Sequence, residues 1–276
     1  MTAFLKMHGL GNDFVVFDAR KQGLALTTDI VRGIADRHLG VGCDQVIVIE
    51  RGRDGFEAAM RSFNADGSEV ESCGNASRCV ARLLMEELDR TSVSISTRGG
   101  PLACSDTGGG NVTVDIGPAR FDWREIPLAR SVDTNSFTLE LDGKEFPVAA
   151  ASVGNPHCII FVEDAEKAPV AALGPRIEIH EMFPERTNVE FIKVTDRTHL
   201  RMRVWERGAG ITSACGTGAC AAAAAAFRRG YVDGKLEVLL DGGPLNIELR
   251  KNDAHILMTG PASLTFHGEI DFEDFA

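Results

Sequence analysis

Two cysteines are each followed at once by glycine and then by a segment of helical character. Cys73 lies in Ser-Cys-Gly-Asn at 72–75, and Cys215 lies in Ala-Cys-Gly-Thr at 214–217. A thiol at a helix N-terminus sits near unpaired N–H groups and the positive end of the helix dipole, which favour the thiolate. Two such thiols, half a chain apart, predict a pair of groups that take up and release protons.

The composition bounds the class of protein. The chain has 276 residues, 44% hydrophobic and 25% charged, with a net charge of -11, which is typical of a soluble globular protein and argues against a nucleic-acid surface. The longest uncharged stretch, residues 208–227, is mostly Gly, Ala, Ser and Thr, which argues against a membrane helix. The first residues lack the pattern of a signal peptide. Seven cysteines without framework spacing predict reduced thiols in the cytoplasm.

Both cysteines belong to an internal repeat. Four polar or thiol landmarks occur twice, in the same order and at nearly constant separation, so the sequence predicts two homologous halves. The pairs are Asn12 and Asn155 (155 − 12 = 143), Gln45 and Asn188 (188 − 45 = 143), Asn64 and Glu206 (206 − 64 = 142), and Cys73 and Cys215 (215 − 73 = 142).

The elements around these landmarks predict an α+β fold with two pseudo-symmetric domains. Each domain is expected to be a mixed, mostly antiparallel sheet of short strands wrapped around one central, mostly buried helix. We predict an N-terminal domain at 1–117 and a C-terminal domain at 118–262. The last strand, in 263–276, could close either domain, and we take it as a candidate to complete the first. Residues 165–180 predict a helical connection interrupted at Pro169 and Pro175.

A pseudo-twofold pair of domains predicts a cleft with equivalent residues on its opposite walls. Two thiols facing one substrate carbon are what stereoinversion needs: one thiolate removes a proton from one face, and the other thiol delivers a proton to the opposite face. The N–H groups of Gly74, Asn75, Gly216 and Thr217 are then candidates to bind a substrate carboxylate.

Titratable residues break the symmetry of the repeat. His157 and Glu206 stand where the first half has Phe14 and Asn64, which predicts that each adjusts a thiol. Arg207, beside Glu206 in a glycine-flanked turn, is a candidate fork for a carboxylate. Neutral amides at the strand ends fit a zwitterionic ligand, and these are Asn12, Gln45, Asn64, Asn155 and Asn188.

The remaining cysteines fit a packing role, because free cysteine is commonly a small buried hydrophobe. The spacings Cys73-x5-Cys79 and Cys215-x4-Cys220 do not match a zinc clip, so we expect no metal. A dithiol redox protein would be expected to carry Cys-x-x-Cys, which is absent. A thiol-based redox or metal-binding protein therefore remains the weaker alternative to an enzyme.

The motifs resemble those of the diaminopimelate epimerase family over most of the chain. The segments that carry the resemblance are Met-His-Gly-Leu-Gly-Asn-Asp-Phe at 7–14, Phe-Asn-Ala-Asp-Gly-Ser-Glu at 63–69, Cys-Gly-Asn at 73–75, Gly-Asn-Pro-His at 154–157, Glu-Arg-Gly-Ala-Gly at 206–210 and Ala-Cys-Gly-Thr-Gly at 214–218.

The resemblance implies an isomerase that needs no pyridoxal phosphate or other cofactor. It would interconvert LL- and meso-diaminopimelate, on the route to lysine and peptidoglycan, and would often be a homodimer. By matching position it implies that Cys73 and Cys215 are the acid–base pair and that His157 and Glu206 modulate them. The implied substrate contacts are Asn12, Gln45, Asn64, Gly74, Asn75, Asn155, Asn188, Glu206, Arg207, Gly216 and Thr217.

Two positions depart from the pattern of many members of the family. Ala76 stands where glycine is common, and Ile211 stands where glutamate is common. Neither replaces a thiol, so the departures bear on fine specificity. The nearest rival function is a cofactor-independent racemase or epimerase acting on proline, hydroxyproline or another amino acid.

Overall fold

The computed structural model describes residues 1–71 and 74–275. Within them the chain is dominated by β-strands. The strands are β1 (Thr2–Gly9), β2 (Asn12–Asp18), β3 (Gln45–Arg51), β4 (Ala58–Asn64), β5 (Glu69–Val70), β6 (Ser92–Thr97), β7 (Gly100–Gly108), β8 (Asn111–Pro118), β9 (Phe137–Leu141), β10 (Lys144–Ser152), β11 (Pro156–Phe161), β12 (Asn188–Asp196), β13 (His199–Glu206), β14 (Gly210–Ile211), β15 (Lys235–Leu240), β16 (Gly243–Leu249), β17 (His255–Pro261) and β18 (Ser263–Ile270). The α-helices are α1 (Thr28–Ala35), α2 (Gly74–Leu88), α3 (Val170–Glu178) and α4 (Gly216–Arg228), and a 3-10 helix spans Phe272–Phe275.

The chain divides into two compact units. The first unit comprises Met1–Asp115 and Thr259–Ala276, and the second comprises Ile116–Met258. The C-terminal strand β18 pairs with β1 in antiparallel fashion, so it lies in the first unit. With strands and helices mixed in each unit and the sheet dominant, the predicted α+β class is confirmed.

Strand pairing in the first unit alternates antiparallel hairpins with parallel crossovers. β1 pairs antiparallel with β2, β2 parallel with β3, and β3 antiparallel with β4. β4 then pairs parallel with β6, which pairs antiparallel with β7. Because parallel neighbours need a crossover, α1 joins β2 to β3 and α2 lies between β4 and β6.

The second unit repeats this pairing. β10 pairs antiparallel with β11, β11 parallel with β12, and β12 antiparallel with β13. β13 pairs parallel with β15, and β15 antiparallel with β16. Here α3 is the first crossover and α4 the second. The repeat predicted from sequence landmarks is therefore present in the topology of each unit.

The helix α4 lies inside the second unit. Its residues from Gly216 to Ala226 are all buried, and it contacts β10, β11, β12, β13, β15 and β16. Alanine side chains let strands approach the helix backbone closely, and interiors packed at crystal density tolerate little extra volume. The alanine tract therefore sets the distance between α4 and the sheet.

The connection between β11 and β12 differs from its prediction at one proline. Helix α3 contains Pro175, so the predicted interruption there is wrong, whereas Pro169 does precede the helix as its N-cap. Pro175 cannot donate to the carbonyl of Ala171, but Ala171 is exposed, and water can take that bond. A short helix at the surface therefore accommodates the proline.

The packing around α4 predicts the effect of enlarging one of its alanines. Ala223 is fully buried, so Ala223→Leu should lower the free energy of unfolding by about 1–3 kcal/mol through overpacking. Urea unfolding followed by circular dichroism measures the change. The matched control is Ala172→Leu on the exposed face of α3, and equal stability of the two variants would contradict the close packing of α4.

Candidate functional site

One of the two predicted thiols can be described. Cys73, with Ser72, lies outside the described residues. The helix that follows it, α2, begins at Gly74, and both Gly74 and Asn75 are buried. Cys215 is the N-cap of α4, so the helix start predicted there is confirmed.

Hydrogen-bond donors surround the sulfur of Cys215. The N–H of Gly218 donates to Cys215 Sγ at 3.3 Å, and Thr217 Oγ1 lies 3.6 Å from the same sulfur. The thiol itself is buried, with 3% of the residue exposed. A β-carbon at position 218 would lie 3.1 Å from Cys215 Sγ. Glycine at the third position of α4 therefore leaves room for the sulfur.

The pKa of Cys215 shifts in the direction opposite to the one expected from the sequence. Burial raises the pKa of the Cys215 thiol well above its ordinary value, and the nearby carboxylates of Glu206 and Glu190 raise it further. The hydrogen bonds from Thr217 and Gly218 lower this pKa, but burial outweighs them. Burial therefore outweighs the helix start at Cys215, and the net shift of its thiol pKa is upward, opposite to the direction expected from the sequence.

The imidazole of His157 is fully buried and is held at both nitrogens. Its Nδ1 lies 2.6 Å from Glu190 Oε1, and its Nε2 lies 2.9 Å from Asn155 Oδ1. Asn155 Nδ2 in turn donates to Thr217 Oγ1 at 3.3 Å. The second unit thus brings together the predicted residues Asn155, His157, Thr217 and Cys215 as one hydrogen-bonded series.

A second group forms where β12 meets the turn after β13. Asn188 Nδ2 donates to the carbonyl of Pro156 at 2.9 Å, and Asn188 Oδ1 accepts from the N–H of Arg207 at 2.9 Å. The Arg207 guanidinium donates to the carbonyl of Glu185 at 3.2 Å. The carboxylate of Glu206 accepts from the hydroxyl of Thr212. Asn188 therefore fixes the backbone of the Glu206–Arg207 turn.

The predicted residues of the first unit form two amide pairs. Asn75 Nδ2 donates to Asn12 Oδ1 at 3.0 Å, and Gln45 Nε2 donates to Asn64 Oδ1 at 2.9 Å. The first pair joins a strand end to the start of α2, as Asn155 and Thr217 join a strand end to the start of α4. The repeat therefore extends to individual contacts at the two helix starts.

Asn12 is held by a network of charged residues that the sequence analysis did not predict. Asn12 Nδ2 donates to Asp44 Oδ2 at 2.8 Å, and Arg37 Nη2 contacts both Asp44 Oδ1 and Asp13 Oδ1 at 2.7 Å. Lys6 Nζ lies 2.5 Å from Asp13 Oδ2. Although burial opposes it, hydrogen bonds from Arg37 and Lys6 lower the pKa of Asp13 to about 2.

A signal for these missed residues was present in the sequence. Asp13 directly follows Asn12 and Asp44 directly precedes Gln45, so each carboxylate adjoins a repeat landmark. Glu190 was also missed, although it is a charged residue within the apolar strand that begins at Val189. A single carboxylate inside an otherwise apolar strand is the kind of exception that marks a buried partner.

Among residues 1–71 and 74–275, no group of three or more His, Cys, Asp or Glu side chains is placed to hold a metal ion. Over the same ranges, no helix has the length and apolar character needed to span a membrane.

Of the two positions that depart from the family pattern, Ala76 is buried and Ile211 is exposed. Ala76 is fully buried in α2, and Ile211 is 47% exposed in β14. Neither side chain therefore takes part in the contacts described above.

Comparison with known proteins gives a consistent family. The sequence profile described as diaminopimelate epimerase matches residues 4–122 and 149–265. The diaminopimelate epimerase of Rhodospirillum centenum is 51% identical over 271 residues, which is 97% of this chain and 91% of that protein. The diaminopimelate epimerase of Erythrobacter litoralis is 49% identical over 99% of both chains.

Solved structures share the fold at low sequence identity. A hydroxyproline epimerase from Agrobacterium vitis with bound trans-4-hydroxy-L-proline superimposes with a TM-score of 0.73 at 17% identity, covering 97% of this chain and 91% of that one. A probable proline racemase from Agrobacterium radiobacter gives a TM-score of 0.72 at 16% identity, covering 98% and 93%. At such identities these structures speak for the fold alone.

The low pKa of Asp13 predicts a pH-dependent loss of stability. Because the folded pKa of about 2 lies below the unfolded value of 3.8, the stabilisation is present above about pH 4 and is lost as the pH falls toward 2. Asp13→Asn should therefore be less stable at pH 7 by about 2 kcal/mol and should lack that part of the acid transition. Urea unfolding between pH 3 and 7 measures it.

Asp54→Asn, at an exposed loop position of the same unit, is the matched control. It should retain the acid transition of the unmodified protein. Parallel stability curves for Asp13→Asn and the unmodified chain across this range would contradict the role given to the Lys6–Asp13–Arg37 contacts.

Proposed function

Because the chain belongs to the diaminopimelate epimerase family, an isomerase family, we propose that it interconverts LL- and meso-diaminopimelate by a two-cysteine acid–base mechanism. The single observation that carries the mechanism is the Cys215 thiol at the start of α4, buried and among directed hydrogen-bond donors. We further propose that the reaction belongs to lysine and peptidoglycan precursor biosynthesis.

In the proposed step, one thiolate takes the proton from the α-carbon. The electron pair of the broken C–H bond stays on that carbon as a carbanion next to the substrate carboxylate. The other thiol donates its proton to the opposite face of that carbon, so the configuration inverts and one proton has entered for the one removed. The raised pKa of Cys215 supports the donor role for this thiol. Cys73 is then the base in that direction, and the two exchange roles in reverse.

The remaining predicted residues are proposed to bind and orient the substrate. Charge builds on the carboxylate as the proton leaves, and fixed N–H donors at a helix start stabilise that state more than the ground state. His157 and Glu206 are proposed to adjust the acid–base pair. The proposed substrate contacts are Asn12, Gln45, Asn64, Gly74, Asn75, Asn155, Asn188, Glu206, Arg207, Gly216 and Thr217.

The network of fixed amides supports a zwitterionic amino-acid substrate. Asn12 and Asn188 each have their amide oriented by two partners, through Asp44 and Asn75 in one case and through Pro156 and Arg207 in the other. A pre-oriented amide binds a charged ligand group without a further entropic cost of ordering. No cofactor is part of the proposal, because the residue set itself supplies acid and base.

Proton exchange tests the proposed reaction. Incubation of LL-diaminopimelate in heavy water should give the meso isomer with deuterium at one α-carbon, measured by NMR and mass spectrometry. Cys73→Ala and Cys215→Ala should each lower the rate by about 100- to 10,000-fold, since each removes one acid–base group.

The matched controls are Cys79→Ala in α2 and Cys220→Ala in α4, two buried cysteines on the same helices. Both should retain turnover of the same order as the unmodified protein. Full turnover in either active-site variant would contradict the two-thiol mechanism. Exchange into proline or hydroxyproline, with none into diaminopimelate, would favour the rival racemase function.

A homodimer in the cytoplasm completes the proposal. Exposed apolar side chains on β18, Leu264 at 41% and Phe266 at 45%, support a contact between copies. Light scattering should give twice the chain mass of 29.7 kDa, and Phe266→Glu should shift the population toward the single chain. A monomeric unmodified protein at micromolar concentration would contradict this part.

A further inference from the structure

We propose that Glu190 is a positioning residue for the acid–base chemistry of Cys215, acting through His157, Asn155 and Thr217. The inference rests on the proposed function and deepens it. The contacts run in order from Glu190 Oε1 to His157 Nδ1 at 2.6 Å and from His157 Nε2 to Asn155 Oδ1 at 2.9 Å. They continue from Asn155 Nδ2 to Thr217 Oγ1 at 3.3 Å and from Thr217 Oγ1 to Cys215 Sγ at 3.6 Å.

The direction of each hydrogen bond follows from the groups involved. Asn155 Nδ2 donates to Thr217, so the Oδ1 that faces His157 can only accept. The Nε2 of His157 therefore carries a proton and donates it to Asn155. The Thr217 hydroxyl accepts from Asn155 and keeps its own proton, which can be donated to Cys215 Sγ at 3.6 Å. The donors from His157 to Asn155 and from Asn155 to Thr217 therefore point toward the sulfur.

The carboxyl group of Glu190 fixes the direction of these hydrogen bonds at the end of the series that is farthest from Cys215. It is the partner that His157 Nδ1 requires once Nε2 is committed to Asn155. Without it, the buried ring would have an unsatisfied nitrogen and could rotate or exchange tautomers. Glu190 therefore holds both the orientation of the ring and the position of its Nε2 proton.

The burial of Glu190 is costly for a side chain that would only fill space. Both Glu190 and His157 are 0% exposed, and among the described residues Glu190 Oε2 has no hydrogen-bond partner. Burying such a pair costs free energy that an apolar pair would not cost. A side chain retained at this cost calls for a chemical role.

The first unit contains the apolar alternative at the same place. In β11 and β12 the parallel register pairs Ile159 with Glu190, and in β2 and β3 the equivalent register pairs Val16 with Ile47. By the repeat separation of 143, His157 corresponds to Phe14 and Glu190 to Ile47, and both of these are 0% exposed. The fold is therefore satisfied by phenylalanine and isoleucine where the second unit has histidine and glutamate.

The missing side chain at Gly218 also leaves room for the Glu190 carboxyl group at the start of α4. A β-carbon at Gly218 would lie 2.8 Å from Glu190 Oε1 as well as 3.1 Å from Cys215 Sγ. One missing side chain thus lets the carboxyl group and the thiol approach α4 together. The other titratable groups near them are Glu206 and Cys158.

Burial raises the pKa of Glu190, while its contact with His157 opposes the rise. The net direction is upward, which favours the protonated carboxyl group, and a protonated carboxyl group can donate to His157 Nδ1. The electrostatic effect therefore supports what the contact geometry indicates.

Three variants test the proposal. Glu190→Leu should lower kcat for diaminopimelate by about 10- to 100-fold, the loss typical when the partner that orients a functional histidine is removed, with KM changed less than about twofold. Glu190→Gln, whose amide N–H can donate to His157 Nδ1, should recover most of that kcat. The double variant His157→Phe with Glu190→Ile copies the first unit and should keep its melting temperature while losing kcat.

The orientation of His157 is read directly by NMR of protein labelled with 15N at histidine. The unmodified protein should show a proton on His157 Nε2 and a hydrogen-bonded Nδ1, and Glu190→Leu should lose that Nδ1 signature. The signal is assigned by its absence in the double variant. Glu178→Gln, a second buried carboxylate that bonds Trp205 and Gly208 instead, should leave the His157 signal unchanged.

The outcomes separate the two proposals. Absence of diaminopimelate turnover in the unmodified protein contradicts the proposed function. The His157 signal is read without substrate, so it still tests the positioning role in that case. An unchanged His157 signal in Glu190→Leu, or unchanged kcat, overturns the positioning role. Equal losses of kcat in Glu190→Gln and Glu190→Leu would also overturn it, since hydrogen bonding is what the two variants differ in.

Discussion

The parallel pairing of β11 with β12 is the constraint on which the site of the second unit depends. Its register places His157 beside Asn188 and Ile159 beside Glu190. Side chains two residues apart on a strand share a face, so His157, Asn188 and Glu190 all point toward the same side of the sheet. A slip of one residue along β12 would turn Asn188 and Glu190 to the other face of the sheet, away from His157.

The helix start completes what the strands prepare. Cys215 caps α4, and the small residues that follow allow the sheet to come close enough for Asn155 to reach Thr217. The same closeness removes the thiol from water. This burial raises the pKa of the Cys215 thiol, because desolvation outweighs the two hydrogen bonds from Thr217 and Gly218. The position of the Cys215 thiol and the direction of its pKa shift therefore have the same cause, which is the close packing of the sheet against α4.

Much of this arrangement could be predicted from local sequence, and the rest depended on distance in the chain. The glycine after Cys215 and the alanine tract predicted a buried helix, and repeated landmarks predicted that Asn155 and His157 adjoin a strand end. Glu190 could not be assigned, because its partner lies 33 residues away and only the strand register joins them. The depth of Cys215 also depends on six strands around α4, so the direction of its pKa shift was beyond local reasoning. Cys73 lies outside the described residues, so its role stays a prediction.

The alanine tract of α4 has a consequence for side-chain entropy. Alanine has no rotamers to lose on folding, so the interior around residues 221–226 holds few alternative side-chain arrangements that heating could populate. Most protein cores gain such alternatives as temperature rises, and the groups attached to them become less well placed. The Cys215 thiol is therefore attached to a helix whose buried side chains are mostly methyl groups. Its position should stay sharp up to the temperature at which the second unit unfolds as a whole.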